Sequence, residues 1–192
     1  MRIKIFVLLC LTAIMQFTGV TPLKASHYYY KQLSLKDGVT SAVRCILTDK
    51  QGFVWIGTKA GISRYDGHEL KKYVYSPNNP HSIPNNLIHQ IAEDEMSNIW
   101  ILTDKGIARY QRQSDDFFLP TDEKGNPIIA YSTCLTKDGV LFGSKDKVYF
   151  YSYRDSSLRL LQKLNKGNNF NISLLSLWNE HLSLIHISEP TR

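Results

Sequence analysis

The sequence is poor in cysteine and carries little net charge, and both shortages limit what the chain can do. Only three of its 192 residues are cysteine, and its formal net charge is +6. Residues 1–25 contain three basic residues and no acidic one, so the remainder has 20 basic and 17 acidic residues, a net charge of +3. Because this surplus is small and spread along the chain, we expect no nucleic-acid contact.

The sequence also lacks helical periodicity and any recognisable catalytic pattern. Beyond residue 25, no stretch keeps a 3.6-residue apolar period without interruption by glycine or turn residues. The six histidines are scattered without the ligand spacing of a zinc site. The acidic pairs at 115–116 and 122–123 lie in loop sequence, where solvated side chains are the rule. We therefore expect no catalytic residue, no metal and no cofactor, and this chain is not expected to be an enzyme.

Residues 1–25 have the layout of a secretory signal peptide. Arg2 and Lys4 precede an apolar run over residues 5–17, and Pro22 and the small residue Ala25 follow it. A retained N-terminal anchor is the alternative, although the run is shorter than the ~20 residues that a bilayer span needs. Either way, the pattern predicts export of the remaining chain.

Aromatic residues, in contrast, are plentiful. The chain has 11 tyrosines, 8 phenylalanines and 3 tryptophans. Aromatic and β-branched side chains pack well on a pleated surface, which favours strands over helices. The composition thus points to an all-β fold.

A repeat of 45 residues organises these strands. The segment that begins at Ala42 aligns with the segment that begins at Leu87, and the matched pairs are Asp49 and Asp94, Trp55 and Trp100, Gly61 and Gly106, Arg64 and Arg109, and Tyr65 and Tyr110. A third copy keeps Gly143 and Tyr151 but has Leu141 where the others have tryptophan. A fourth copy begins near residue 170. Searching for such a period comes first, because it determines the fold.

Each unit contains four short apolar segments separated by polar or glycine turns. Four strands per ~40–45 residues are typical of one blade of a β-propeller. We predict an incomplete propeller of four-stranded antiparallel blades at about 42–77, 87–120 and 129–163, with the start of a fourth at 170–181. Cys45 and Cys134 fall on corresponding strands of different units, so we expect buried thiols rather than a disulfide.

The repeated residues have structural roles in this interpretation. Asp49 and Asp94 can accept hydrogen bonds from the turns that they open, and Gly61 and Gly106 suit turn positions with positive φ. Trp55 and Trp100 are expected to fill the space between successive blades. A phosphate-binding reading of Gly57 and its neighbours fails, since the spacing is wrong, no helix follows, and the second copy has Leu102 instead of that glycine.

With the copies aligned, the segment 49–67, DKQGFVWIGTKAGISRYDG, closely resembles the two-component regulator propeller repeat. The preceding segment 28–46 is similar to the lead-in of such proteins, and segment 73–94 is similar to their link between the first two blades. The resemblance covers roughly residues 27–151. It departs from the family pattern at Ile101-Leu102 and in the third copy, which lacks tryptophan.

The resemblance implies the N-terminal part of the periplasmic sensor region of a hybrid histidine kinase in the inner membrane. Such receptors detect glycan fragments and signal to transcription, so it implies an oligosaccharide ligand, further propeller blades and a homodimer in the full-length receptor. The alternative is an exported propeller without a kinase, acting as a binding scaffold or a glycan lyase. Extending the gene past residue 181 separates the two.

The C-terminal residues 182–192, LSLIHISEPTR, resemble the translation of a transposase-type sequencing adapter. The alternative is a genuine strand of the fourth blade. Under the adapter interpretation, these eleven residues are an artefact of the gene sequence.

The long link at residues 76–86 is the best candidate for a ligand-binding loop, because propellers place their binding loops at one end of the ring. Its candidate contact residues are Asn78, Asn79, His81 and Asn85. The alternative is an ordinary connection between blades that is rich in turn residues.

Overall fold

The structure is a computed structural model, and it describes residues 41–163, 171–178 and 181–187. The predicted signal peptide at 1–25 lies outside these residues. Every regular element in the described part is a β-strand. Within these residues, no helix has the length and hydropathy of a membrane span.

Three four-stranded antiparallel sheets form blades 1 to 3. Blade 1 comprises β1 (Val43–Thr48), β2 (Val54–Thr58), β3 (Gly61–Tyr65) and β4 (Leu70–Tyr73). Blade 2 comprises β5 (Ile88–Glu93), β6 (Ile99–Thr103), β7 (Gly106–Gln111) and β8 (Asp116–Phe118). Blade 3 comprises β9 (Ser132–Leu135), β10 (Gly139–Gly143), β11 (Lys147–Ser152) and β12 (Leu158–Lys163). The predicted all-β fold of four-stranded antiparallel blades is confirmed.

A hairpin of β13 (Asn171–Trp178) and β14 (His181–Ile187) follows blade 3. β14 includes residues 182–187, which resemble a translated adapter. The segment is a short run dominated by leucine and isoleucine, which is compatible with a strand whatever the origin of the codons. Pairing in the hairpin therefore does not separate the two interpretations, and the adapter origin stays a prediction.

The strand register repeats between blades together with the sequence. Trp55 on β2 lies opposite Arg64 on β3, and Trp100 on β6 lies opposite Arg109 on β7. Opposite residues on neighbouring strands point to the same face of a sheet. Blades 1 and 2 therefore each present a tryptophan and an arginine on one face.

Two apolar clusters lie between the blades. The first joins Trp55 of blade 1 to a set from blade 2 and the link before it, namely Ile83, Ile88, Ile91, Ile99, Ile101, Ala108, Tyr110 and Phe117. The second joins Trp100 of blade 2 to Ile128, Ala130, Val140, Phe142, Tyr149 and Tyr151. Both tryptophans are completely buried. Burial of apolar area between sheets is thus what stacks one blade on the next.

Two glycines of blade 1 are required by close contacts. Gly61 has φ +113°, and a Cβ there would lie 2.5 Å from the carbonyl oxygen of Tyr73. A Cβ at Gly57 would lie 2.5 Å from Sγ of Cys45 and 2.8 Å from Cγ2 of Ile88. In blade 2, Leu102 takes the place of Gly57 and is itself buried in the second cluster.

The cysteines are less buried than the sequence led us to expect. Cys45 and Cys134 are both half-buried, and each lies on the first strand of its blade. Burial still raises the pKa of the Cys45 thiol, against smaller opposing effects of the Gly57 backbone and of Arg44. A disulfide between these two strands is absent from the described residues.

Candidate functional site

The antiparallel strand order places two kinds of loop at the same end of each blade. These are the turns between the second and third strands, at 59–60, 104–105 and 144–146, and the links between blades, at 74–87 and 119–131. We call this the link end. Binding residues concentrate on loops that a rigid scaffold positions, so the link end is where a ligand site is sought.

The four predicted loop residues are not gathered into one cluster. The side-chain oxygen of Asn79 accepts a hydrogen bond from the backbone N–H of His81 at 2.9 Å, and that of Asn85 accepts one from Leu87 N–H at 2.8 Å. Both amides therefore stabilise turns of the link, as asparagine commonly does. Asn78 and His81 are exposed. A ligand-contact role for this loop stays a prediction.

The links are anchored at positions that the sequence analysis did not single out. Ile83 in the first link and Ile128 in the second are buried, and they are 45 residues apart. The carbonyl oxygen of Asn86 accepts a hydrogen bond from Gly61 N–H at 2.8 Å, and that of Ile128 accepts one from Ile107 N–H at 3.0 Å. The 45-residue repeat could have predicted these buried positions, because it extends from the blades into the links.

Asp49 and Asp94, which open the first turns of blades 1 and 2, each also accept a hydrogen bond from the tryptophan of their own blade. The indole Nε1–H of Trp55 donates to Asp49 Oδ2 at 3.0 Å, and that of Trp100 donates to Asp94 Oδ2 at 2.8 Å. The other oxygen of Asp49 accepts the backbone N–H of Gln51 and Phe53. One buried carboxylate thus fixes both the turn and the orientation of the ring.

The repeated arginines of blades 1 and 2 each bond a tyrosine of the next blade. Arg64 Nη1 donates to the hydroxyl oxygen of Tyr110, and Arg109 Nη1 donates to that of Tyr151. The same tyrosines pack edge-on against the tryptophans, with ring centroids 4.8 Å apart for Trp55 and Tyr110 and 4.8 Å for Trp100 and Tyr151. The repeated residues therefore form an interface between blades. Tyr65, the equivalent position in blade 1, donates to the carbonyl oxygen of Gly67.

Asp115, in the turn before β8, joins blades 1 and 2. Its Oδ1 accepts hydrogen bonds from Arg64 at 3.3 Å and from the hydroxyl of Tyr73 at 2.6 Å, and also one from Tyr110. Lys71 donates to its Oδ2. Burial acts to raise the pKa of Asp115, but the hydrogen bonds from Lys71, Tyr110 and Tyr73 and the charge of Arg64 outweigh it and hold the pKa at about 2.

A second ionic contact spans the same two blades. Arg112 Nη2 lies 3.1 Å from Asp49 Oδ2, and the side chain of Asp49 is fully buried. Burial acts to raise the pKa of Asp49, but hydrogen bonds from Trp55, Arg112 and Phe53 lower it overall. In blade 3, Tyr153 takes the place of Arg112. The pKa of its phenol is raised, mainly by burial and secondly by the charge of Asp94.

Three polar side chains meet at the link end between blades 2 and 3. His89 on β5 bonds through Nε2 to Oδ1 of Asp104, in the turn between β6 and β7. The ring of Tyr131, at the end of the second link, lies 6.3 Å from the His89 ring between centroids. The sequence analysis missed this group, which we call the His89 cluster, because its members come from three segments with no common spacing.

A shallow cleft of about 320 Å³ also lies at the second link. Asp122, Lys124 and Asn126 of the link and Tyr149 and Leu160 of blade 3 contribute to its lining. Among the described residues, no group of three His, Cys, Asp or Glu side chains could hold a metal ion.

Comparison with known proteins connects this architecture to one family. The family model described as "Two component regulator propeller" matches residues 37–60, which include β1 and β2. A histidine kinase of Formosa agariphila, "Histidine kinase P4", is 37% identical over 59 residues, which are 30% of this chain and 4% of the kinase. This chain thus aligns with a very small part of that relative.

Solved structures share the fold. The extracellular domain of a protein described as a one component system of B. thetaiotaomicron aligns with a TM-score of 0.63 at 18% identity, over 83% of this chain and 25% of that chain. An extracellular domain described as part of a hybrid two component system of the same organism aligns at 15% identity with a TM-score of 0.43, over 83% of this chain and 34% of that one. The first likeness, with its TM-score of 0.63, supports the fold. The family match at residues 37–60, the repeated blades and the shared fold thus make the chain similar to two-component regulator propeller proteins.

Proposed function

We propose that the chain is the N-terminal part of the extracytoplasmic ligand-sensing domain of a hybrid two-component sensor histidine kinase. The observation that carries this proposal is the 37% identity to a histidine kinase over 59 residues, together with the family match at residues 37–60. The domain would lie in the periplasm as part of an inner-membrane protein, and its ligand would be a glycan-derived oligosaccharide.

The architecture is compatible with a receptor. Stacked blades with buried aromatic and ionic contacts between them make a stiff scaffold, and loops at its link end can contact a ligand. A ligand that binds across two blades can bias their relative arrangement only if it binds the two arrangements with different affinity. Further blades and a second copy of the receptor would carry that bias to the kinase and from there to transcription.

The genomic locus provides the direct test. We expect the reading frame beyond codon 181 to encode further blades, a membrane-spanning helix and the motifs of a histidine kinase. A stop codon after the last blade, with no membrane span, would contradict the sensor and support an exported scaffold or a glycan lyase.

A transcriptional experiment tests the signalling part separately. In the source bacterium, disruption of the gene is expected to abolish the induction of glycan-utilisation genes by at least one polysaccharide, while growth on simple sugars continues. Induction that is unchanged on every polysaccharide would contradict signalling to transcription.

A further inference from the structure

The first strands of blades 1 and 2 contain a β-bulge at the same position. The pairing of β5 with β6 shifts between Ile88 and Gln90, which leaves His89 as the extra residue. The pairing of β1 with β2 shifts between Val43 and Cys45, which leaves Arg44 as the extra residue. A bulge re-aims the side chain that it carries, and bulges are frequent beside binding sites. Both bulges directly follow the start of a strand at the link end.

The side chains around His89 are accessible and held in place. The exposed fraction is 22% for the His89 side chain, 45% for the Asp104 side chain and 37% for Tyr131. The backbone N–H of Tyr131 donates to the Gly143 carbonyl oxygen at 2.8 Å, which ties this residue to blade 3. The cluster therefore combines an imidazole, a carboxylate and a phenol ring that a solute can reach.

The cluster is not one of the repeated structural contacts. The positions 45 residues earlier are Arg44, Lys59 and Asn86, so blade 1 has two cations where blade 2 has an imidazole and a carboxylate. Blade 1 forms the same four strands without this set. In contrast, the Asp–Trp–Arg set recurs in both blades, as scaffold residues should. The chemistry at His89, Asp104 and Tyr131 is thus not required to build a blade.

We propose that His89, Asp104 and Tyr131 form a binding site for a neutral sugar unit at the link end between blades 2 and 3. The carboxylate of Asp104 accepts hydrogen bonds from sugar hydroxyls, and His89 exchanges hydrogen bonds with a neighbouring hydroxyl. The ring of Tyr131 offers an apolar face to the C–H groups of the sugar, while its hydroxyl stays in water. This inference rests on the proposed function, in which the ligand is derived from a glycan.

Nuclear magnetic resonance on the 192-residue chain tests the site. With isotope-labelled histidine, the imidazole resonances are followed while cellobiose, lactose, maltose or mannobiose is added at millimolar concentration. For at least one disaccharide, the His89 resonance is expected to shift and saturate. The resonance of His68, which is exposed in the turn between β3 and β4 at the opposite end of blade 1, is the internal control and should not move.

Matched variants assign the binding to the cluster. Tyr131→Ala and Asp104→Asn are each expected to weaken binding of that disaccharide about tenfold, the size of effect that follows loss of a hydrogen bond to a charged group or of ring contact. Glu69→Ala, in the exposed turn between β3 and β4 at the opposite end of blade 1, is expected to leave the affinity unchanged. Tyr131→Phe keeps the ring and should retain most of the affinity, which separates loss of contact from loss of folding.

The outcomes separate the site from the proposed function. Binding of a disaccharide with unchanged affinity in Tyr131→Ala and Asp104→Asn would overturn the site and leave the glycan sensor standing. Failure of all four disaccharides to shift His89 would also overturn the site, and the reading of the genomic locus would then decide the receptor independently.

Discussion

At the scale of single residues, the buried aspartates do more than the sequence pattern alone indicates. Asp49 and Asp94 each accept the indole N–H of the tryptophan six residues later, in addition to backbone N–H groups of the turn. A buried polar group without a partner costs about 1–3 kcal/mol, which makes each pair interdependent. Aspartate is therefore needed at this position for the tryptophan as well as for the turn.

Replacement of Asp94 tests this dependence. Asp94→Ala leaves the Trp100 indole N–H buried without its acceptor, and we expect it to lower the free energy of unfolding by about 1–3 kcal/mol. Asp122→Ala is the control, because Asp122 accepts the same kind of turn hydrogen bonds, from the backbone N–H groups of Lys124 and Asn126, but is only half-buried. Urea unfolding of the two variants should show the larger loss for Asp94→Ala. Equal losses would mean that the indole bond contributes nothing.

The lowered pKa of Asp115 predicts how the stability of blades 1 and 2 depends on pH. Against the effect of burial, the hydrogen bonds to Asp115 hold its pKa at about 2 in the folded chain, below the ordinary value of 3.8, so its carboxylate stabilises the fold above about pH 4. This contribution is lost as the pH falls from about 4 to about 2, because protonation then removes the acceptor of Lys71 and Arg64.

Asp115→Asn should flatten the loss of stability over that pH range. Asparagine tolerates the positive φ of 55° at this position and keeps one oxygen acceptor. Thermal unfolding between pH 5 and pH 2, about the range in which acidic groups titrate, should show a smaller fall for the variant than for the native chain. Parallel curves would show that Asp115 does not contribute to the acid sensitivity.

At the scale of the strands, glycine is needed in a turn for one of two reasons: the backbone angle of the turn or the close approach of a neighbouring strand. Gly61 and Gly67 both have positive φ, +113° and +101°, but a Cβ at position 67 has no atom within 4 Å, whereas one at 61 meets the Tyr73 carbonyl oxygen. The backbone of the neighbouring strand, and not only the turn angle, therefore requires glycine at 61.

The pair of substitutions Gly61→Ala and Gly67→Ala separates these two effects. Gly67→Ala should cost about 1 kcal/mol of unfolding free energy, from the strained φ alone. Gly61→Ala should cost more, because the strand must also move away from Tyr73. The check is urea unfolding of both variants at one pH. A loss for Gly61→Ala no larger than that for Gly67→Ala would contradict the steric explanation.

The strands and the repeated residues could be predicted from the sequence because they depend on short spacings. Asp49, Trp55 and Gly61 lie within one unit, where turn chemistry and strand alternation determine their places. The contacts of Asp115 with Lys71 and Tyr73, of Arg112 with Asp49, and of His89 with Tyr131 are 42 to 63 residues apart in chain distance. They depend on loop conformations and on the twist of each sheet, which no local pattern specifies.

At the scale of the whole molecule, the unequal burial of equivalent residues shows how blades depend on neighbours. Ile46 and Ile91 occupy the same repeat position, opposite Ile56 and Ile101. Ile91 is 8% exposed in the cluster with Trp55, whereas Ile46 is 64% exposed. The difference arises because blade 1 covers Ile91 and no blade of the described part covers Ile46.

This difference predicts unequal effects of the same substitution. Ile91→Ala should lower the free energy of unfolding by about 2–5 kcal/mol, the usual cost of truncating a buried isoleucine. Ile46→Ala should change it by less than about 0.5 kcal/mol, as at an exposed site. Urea unfolding of the 192-residue chain measures both. A loss at Ile46 as large as that at Ile91 would show that another segment covers blade 1.

The central claim is that the 45-residue repeat builds stacked blades whose tryptophans contact the next blade. The most direct measurement is a set of nuclear Overhauser contacts from the two indole rings in the isotope-labelled chain. We predict contacts from Trp55 to the Tyr110 ring and from Trp100 to the Tyr151 ring, at centroid separations of 4.8 Å in each case. Contacts between Trp55 and Trp100 themselves, or helical amide contacts around either residue, would contradict it.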